Sequence, residues 1–381
     1  MNDGMTFDNE PFCTTDGEIA AVNLGSTCAR SWRRFFQDPL RPGIAEVVIE
    51  QEQLIAQFVG DLSALDRLGS LMNQLIELDA GSAHTALMCA QVASMRHRFS
   101  DARHYLAQAE SGGAPSADLK RLLLSIDQAC GLNLDTVLDE RRELARESGG
   151  LEDLVALGAL LADLGRFTDA DQVYRNALLG YQDVSPFPVA WVCFQLGVLW
   201  GELVPEPQLA RAEHWYRKAI NCLPRYVKAR VHLAEIYLST GRTAEAEATL
   251  NPAIASGDPE VPWRLADALL AEGRIAEGDT QLGVARTGFE ELLGRHLLAF
   301  ADHGAEFYSG SGNDAARALE LAQINLANRP TLRAFDQAYR AAISADEADA
   351  AAEILAGAKT RWGDAALTQR CSTEPAGLVA R

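Results

Sequence analysis

A chain of 381 residues that is 48% hydrophobic and carries 53 acidic against 34 basic side chains, net −19, is too apolar to stay disordered and long enough to bury an extensive core. Abundant Ala and Leu, with few runs of Val, Ile and Thr, exclude a β-sandwich, a barrel or a parallel α/β core. The acidic surplus excludes a general nucleic-acid binder, because a duplex would repel this surface.

Residues 1–48 open with neither the basic start nor the apolar run of a secretory signal. They contain one helical pattern, Cys28-Ala-Arg-Ser-Trp-Arg-Arg-Phe-Phe, stopped by Pro39 and Pro42. This segment is expected to cap the open N-terminal end of the helical array that begins at residue 49. The alternative is a docking role, with Trp32, Phe35 and Phe36 as apolar anchors beside Arg30, Arg33 and Arg34.

From residue 49 a helix-pair pattern recurs. It is weak at Ile55, Ala56, Val59, Leu68, Met72 and Leu75, and clearer at Cys89, Ala90, Ala93, Ala102, Leu106 and Ala109. Residues 117–150 are helical but fit poorly. The clearest unit begins at Leu151, where Leu154, Leu157, Gly158 and Leu161 share one helix face and Ala170, Tyr174 and Ala177 share another. Gly165 supplies the left-handed turn between them, and Gly158 with Ala170 lets the helices approach. Equivalent sets recur around Gly197, Gly241 and Gly273, then at Ala305, Tyr308, Ala318 and Ala322, and finally at Phe335, Ala338, Ala342 and Leu355. One departure occurs between Trp200 and Ala212, where about three extra residues include Pro205 and Pro207. A surface insertion is the expected reading. Residues 366–381 read as a frayed tail.

The period and the placing of small and large residues resemble the tetratricopeptide-repeat (TPR) family. The resemblance covers residues 49–365, about nine helix pairs by the family's 34-residue period. It implies an all-α, right-handed superhelical solenoid of antiparallel helix pairs, in which stacking buries what one pair cannot. It also implies broad unfolding cooperativity and a concave groove, lined by the first helix of each pair, that binds protein or peptide. Placed on the family's exposed positions, the groove residues are Trp191, Phe194 and Gln195, then Lys228, His232 and Glu235, then Trp263, Arg264 and Asp267, with His84, Leu87, Met88, Gln91 and Met95 nearer the N-terminus. Two tryptophans with Arg and Glu suit a peptide groove. The Lys and Asn set with which many relatives grip a C-terminal carboxylate is missing, so an internal peptide segment is the expected ligand.

No P-loop, HExxH, GxSxG or strand-borne GxGxxG occurs, so the protein is expected to be non-catalytic, with no cofactor and no metal. His296, Asp302, His303 and Glu306 are the residues that would support a metal or enzymatic alternative. A peptide-sensing regulator is the other alternative, although residues 1–48 are too short for an attached DNA-binding unit. Gly310-Ser311-Gly312 reads as a flexible connector. The basic run Arg211, Arg217, Lys218, Arg225, Lys228 and Arg230 reads as a solvated face or as a lure for an acidic partner. Seven cysteines without CxxC spacing suit a reducing cytoplasm, and four lysines among 34 basic residues suit a GC-rich bacterial genome. No run approaches the roughly twenty apolar residues that cross a bilayer.

Overall fold

The structure, a computed structural model, describes residues 12–371, with side chains as far as Gly363. All regular elements among these are helical. Three helices come first: α1 (Gly17–Gln37), α2 (Ile44–Leu54, running into a π-turn at Ile55–Val59) and α3 (Ala64–Asp79). Antiparallel pairs come after them: α4 (Ala83–Met95) with α5 (Phe99–Ser111), α6 (Ser116–Ala129) with α7 (Leu134–Ser148), and α8 (Leu151–Asp163) with α9 (Phe167–Gly180). Next are α10 (Pro186–Val198, with a π-turn at Leu199–Leu203) with α11 (Leu209–Cys222), and α12 (Val227–Ser239) with α13 (Thr243–Leu250). Helix α14 (Glu260–Ala271) packs on the first half of α15 (Ile275–Ser309), which breaks at His296, and the second half packs on α16 (Ala315–Asn328). Helices α17 (Leu332–Ser344) and α18 (Ala348–Cys371, broken at Gly363) end the array. Of the tail expected from 366, residues 366–371 are helical and the rest lies outside the described residues.

Local chemistry fixes these pairs. Gly165, Gly241 and Gly273 take φ of 73°, 74° and 76°, a left-handed conformation that closes a helix cheaply only in glycine. Each is followed by an arginine that grips the acidic residue three positions on: Arg166 with Asp169, Arg242 with Glu245, and Arg274 with Glu277. Within pairs, a glycine meets a tyrosine ring. A Cβ on Gly158 would lie 2.7 Å from Tyr174, and one on Gly197 2.4 Å from Tyr216. The pair α6/α7 packs differently: it buries Asp127, bonded to Arg103, and Arg141, and its Leu124 and Val137 form only a small apolar cluster with Leu160 of α8. That charge is why residues 117–150 fit the repeat pattern poorly.

The array is closed rather than an open rod. The N-terminal helices reach both the middle and the end of the chain. Phe58, 2% exposed on the α2 π-turn, packs with Phe187, Trp191 and Tyr226 at ring-centroid distances of 5.3, 6.5 and 4.8 Å. Asp66 on α3 pairs with Arg295 and lies 2.9 Å from His296 at the α15 break. Asn328 Nδ2 donates to the His97 carbonyl at 2.9 Å, and Arg361 Nη2 to that of Gly131 at 3.0 Å. Phe300 packs against the N-terminal and the C-terminal cores at once.

Helix α1 does not cap an open end. Asp16 caps its N-terminus, Gly17 presses on the backbone at Cys222–Leu223, and Glu18 pairs with Arg225 at 2.8 Å. At its other end Phe35 is wholly buried with Ala45 and Val48. The helix therefore straps the N-terminal core to the α11/α12 turn. Of the anchors expected there, Trp32 bonds Glu52, Phe35 is core, and Phe36 is exposed.

Candidate functional site: the inner channel

Closure turns the expected groove into an internal channel. Its apolar section is a cavity of about 840 Å³ between the α2 π-turn, α6–α8, α10 and the start of α17. Trp191, Gln195 and Val198 face it, opposite Val155, Ala156 and Ala159. A charged section lies beside it. There Glu202 Oε1 accepts from Tyr216 Oη (2.8 Å) and from His232 Nδ1 (2.6 Å), and Glu235 stands 3.7 Å from the same His232 nitrogen. Glu235 pairs with Arg264 at 2.5 Å, and Arg264 lies 3.5 Å over the Trp263 ring while reaching Asp267 and Glu306. Glu260 pairs with His303 at 2.5 Å, and Asp302 with Arg329 at 3.4 Å.

The electrostatics follow from this geometry. Burial alone would lower His232, but the Glu202 carboxylate, helped by Glu235 and Glu260, outweighs it and lifts the imidazole to about 9. Burial would raise Glu202, yet His232 and Arg333 hold it near 2. Asp302 is likewise held near 2 against its burial by His303 and Arg329. Asp258 is pushed up to about 6 by burial and by the neighbouring Glu260.

Of the nine residues expected to bind peptide, Trp191, Gln195, Lys228, His232, Glu235, Arg264 and Asp267 are half-buried on the inner wall. Phe194 and Trp263 differ. Phe194 is 6% exposed, stacked on Trp191 and edge-on to His232. Trp263 is 3% exposed, wedged against Phe289 and Phe307 with its Nε1 bonded to Ser311 Oγ at 3.0 Å. Both are core side chains that back the wall, because area this large is stabilised by leaving water. Leu87 and Met88 are also core. Gly310-Ser311-Gly312 is an anchored turn: Ser311 links Trp263 to Asp267, and Gly312 O accepts from Arg286.

Sequence reasoning missed Glu202. The extra residues after Trp200 do lie at the surface at 205–208, as expected, but the insertion has a second effect. It winds the end of α10 into a π-turn, which carries Glu202 inward, as π-turns at functional sites often do. The departure from the repeat length was the available signal. The basic run is paired within the chain, with Arg217 and Arg225 on a solvated face. Arg211 bonds Asp171 over the Trp200 ring, Arg217 meets Glu213, Arg225 meets Glu18, and Arg230 donates to the Pro224 and Thr249 carbonyls. His296 and His303 turn to different partners, Asp66 and Glu260, and no group of three or more potential metal ligands comes together among the described residues. No helix among these residues is long and apolar enough to cross a membrane.

No family model and no curated protein matches the sequence. Among solved structures the chain is similar to the APC/C hetero-tetramer Cut9–Hcn1, with 14% identity over 84% of this chain and 52% of that one, at a TM-score of 0.46. It is also similar to the C-terminal part of a TPR repeat-containing protein from Cytophaga hutchinsonii (15% identity, 77% and 97% covered, TM-score 0.29) and to yeast Tom70 (13% identity, 93% and 95% covered, TM-score 0.32). It spans about half the length of the first. The fold assignment rests on the chain's own helix pairs, glycine turns and glycine-on-tyrosine contacts. The chain is an all-α, TPR-like solenoid.

Proposed function

We propose that the protein is a non-catalytic interaction module that holds a peptide segment of a protein partner in its inner channel. The observation that carries this reading is the continuous inner wall Trp191–His232–Glu235–Arg264, on which an aromatic face adjoins paired charges of both signs. Aromatic area supplies affinity at small entropic cost, and fixed charges set register. The acidic and basic groups are already paired with one another, so they favour a ligand that offers its own backbone and mixed side chains over a simple polyion. An internal segment suits an enclosed channel without the terminal-carboxylate clamp.

The test is selection from a displayed library of random ten-residue peptides on the full chain, repeated on a Trp191→Ala/Lys228→Glu variant with unchanged helical circular dichroism. Sequences enriched on the wild type and lost on the variant support the reading. No enrichment, or equal enrichment on both, sinks it.

A further inference from the structure

The apolar section of the channel holds a charge that the protein does not neutralise. Arg141 lines the cavity and is 8% exposed. Its guanidinium makes one hydrogen bond, Nη2 to Ser125 Oγ at 3.5 Å, and its Nε has no partner. No carboxylate among the described residues pairs with it. Burial lowers its pKa, with Asp153 and Asp163 acting only at longer range. Leaving a buried cation without an ion pair is costly, so a site that retains one is suited to an anion from outside.

A second cation stands at the same cavity, although unlike Arg141 it is exposed. Arg333 lines the same cavity and forms no ion pair among the described residues, although Glu202, Glu306 and Asp302 stand within electrostatic range. With Arg329, three arginines face the cavity against Glu152 and Asp163, in a chain of net charge −19. The remaining wall is mostly apolar: Leu54, Phe58, Val155, Ala159, Trp191 and Val198. A volume of about 840 Å³ is within the range that encloses one drug-sized molecule.

We infer that this cavity is a binding site for a small single-chain anionic amphiphile, its carboxylate held by Arg141 and Arg333 and its apolar body lying along Val155, Ala159 and Trp191. A carboxylate gains charge-assisted hydrogen bonds that guanidinium groups here otherwise lack. The hydrocarbon gains by leaving water for the apolar wall. This site adjoins the wall proposed to hold peptide and shares Trp191 with it, but it rests on Arg141 and the apolar cavity, and its readout, decanoate titration, is distinct from peptide selection.

The experiment titrates the full chain with sodium decanoate below its micelle concentration, by calorimetry and by Trp191-dependent fluorescence. Acetate, 1-decanol and an acetylated apolar tetrapeptide with a free carboxylate serve as comparators. One decanoate per chain is expected, bound at least tenfold more tightly than acetate, 1-decanol or the tetrapeptide. Arg141→Met should weaken decanoate at least tenfold while raising the melting temperature of the ligand-free protein, because it removes an unpaired buried charge. Ala156→Phe, which narrows the cavity without touching a charge, should weaken decanoate at least tenfold in a folded chain. The inference is overturned if decanoate does not bind, if a comparator binds as tightly, or if Ala156→Phe leaves decanoate affinity unchanged. It is equally overturned if Arg141→Met leaves decanoate affinity unchanged.

Discussion

Glu202 and His232, thirty residues apart, meet at 2.6 Å because a π-turn swings the end of α10 into the channel. Each shifts the other: the imidazole rises from 6.5 to about 9 and the carboxyl falls from 4.5 to about 2. The raised histidine contributes stability that is complete below pH 6.5 and lost as pH rises through 9. The depressed glutamate contributes stability that is complete above pH 4.5 and lost as pH falls through 2. The pair is therefore at full strength between pH 4.5 and 6.5. His232→Gln should lower stability by on the order of 2 kcal/mol at pH 6, and the gap to wild type should narrow by pH 9.5. Denaturant midpoints at the two pH values check this, and a gap that widens at high pH contradicts the pairing.

Asp258 behaves in the opposite sense. It is 4% exposed and its carboxyl is raised from 3.8 to about 6, so its contribution is intact below pH 3.8 and lost as pH rises through 6. Asp258→Asn keeps an acceptor for the Glu260 backbone N–H, which Asp258 Oδ1 receives at 3.0 Å. The variant should match wild type at pH 4 and exceed it by about 1–2 kcal/mol at pH 8. Thermal melts at both pH values read the effect.

Gly197 is required by the Tyr216 ring, which a Cβ would approach to 2.4 Å, and the helix backbone leaves little room to shift. Gly197→Ala gains helix propensity of about 1 kcal/mol but overpacks a contact whose strain costs about 1–3 kcal/mol or more. A net loss of stability is expected. Gly25, which has open space around it, provides the control: Gly25→Ala should be neutral or stabilising.

Phe58 fastens the N-terminal helices to the middle of the array. Phe58→Ala should cost about 3–5 kcal/mol. If closure depends on it, small-angle scattering should show a larger radius of gyration with unchanged helix content. Equal radii would mean that the Asp66 contacts and the α1 strap suffice.

Periodicity exposed the helix pairs because burial of one face is a local demand, written into positions such as Gly158 and Tyr174. The left-handed glycines 165, 241 and 273 were legible for the same reason. Closure was not legible, since Asp66 with His296 and His97 with Asn328 are contacts between distant residues that no repeat pattern encodes. The inner wall was partly legible. The repeat register located Trp191, His232 and Arg264 on it, but it could not tell that Trp263 backs the wall from the core side. Register also concealed Glu202 and Arg141, one carried by an insertion and the other by the unit that fits the pattern least.

An open solenoid folds by adding neighbours, and its ends can fray independently of its centre. Joining the first helices to the last changes that order of events. The helix pairs, made of local contacts, should form early, while the Asp66–His296 seam spans more than two hundred residues and must wait for the intervening turns to set their curvature. Neither α3 nor α15 is then free to peel away alone, so melting should be sharper than the broad transition expected of a linear array.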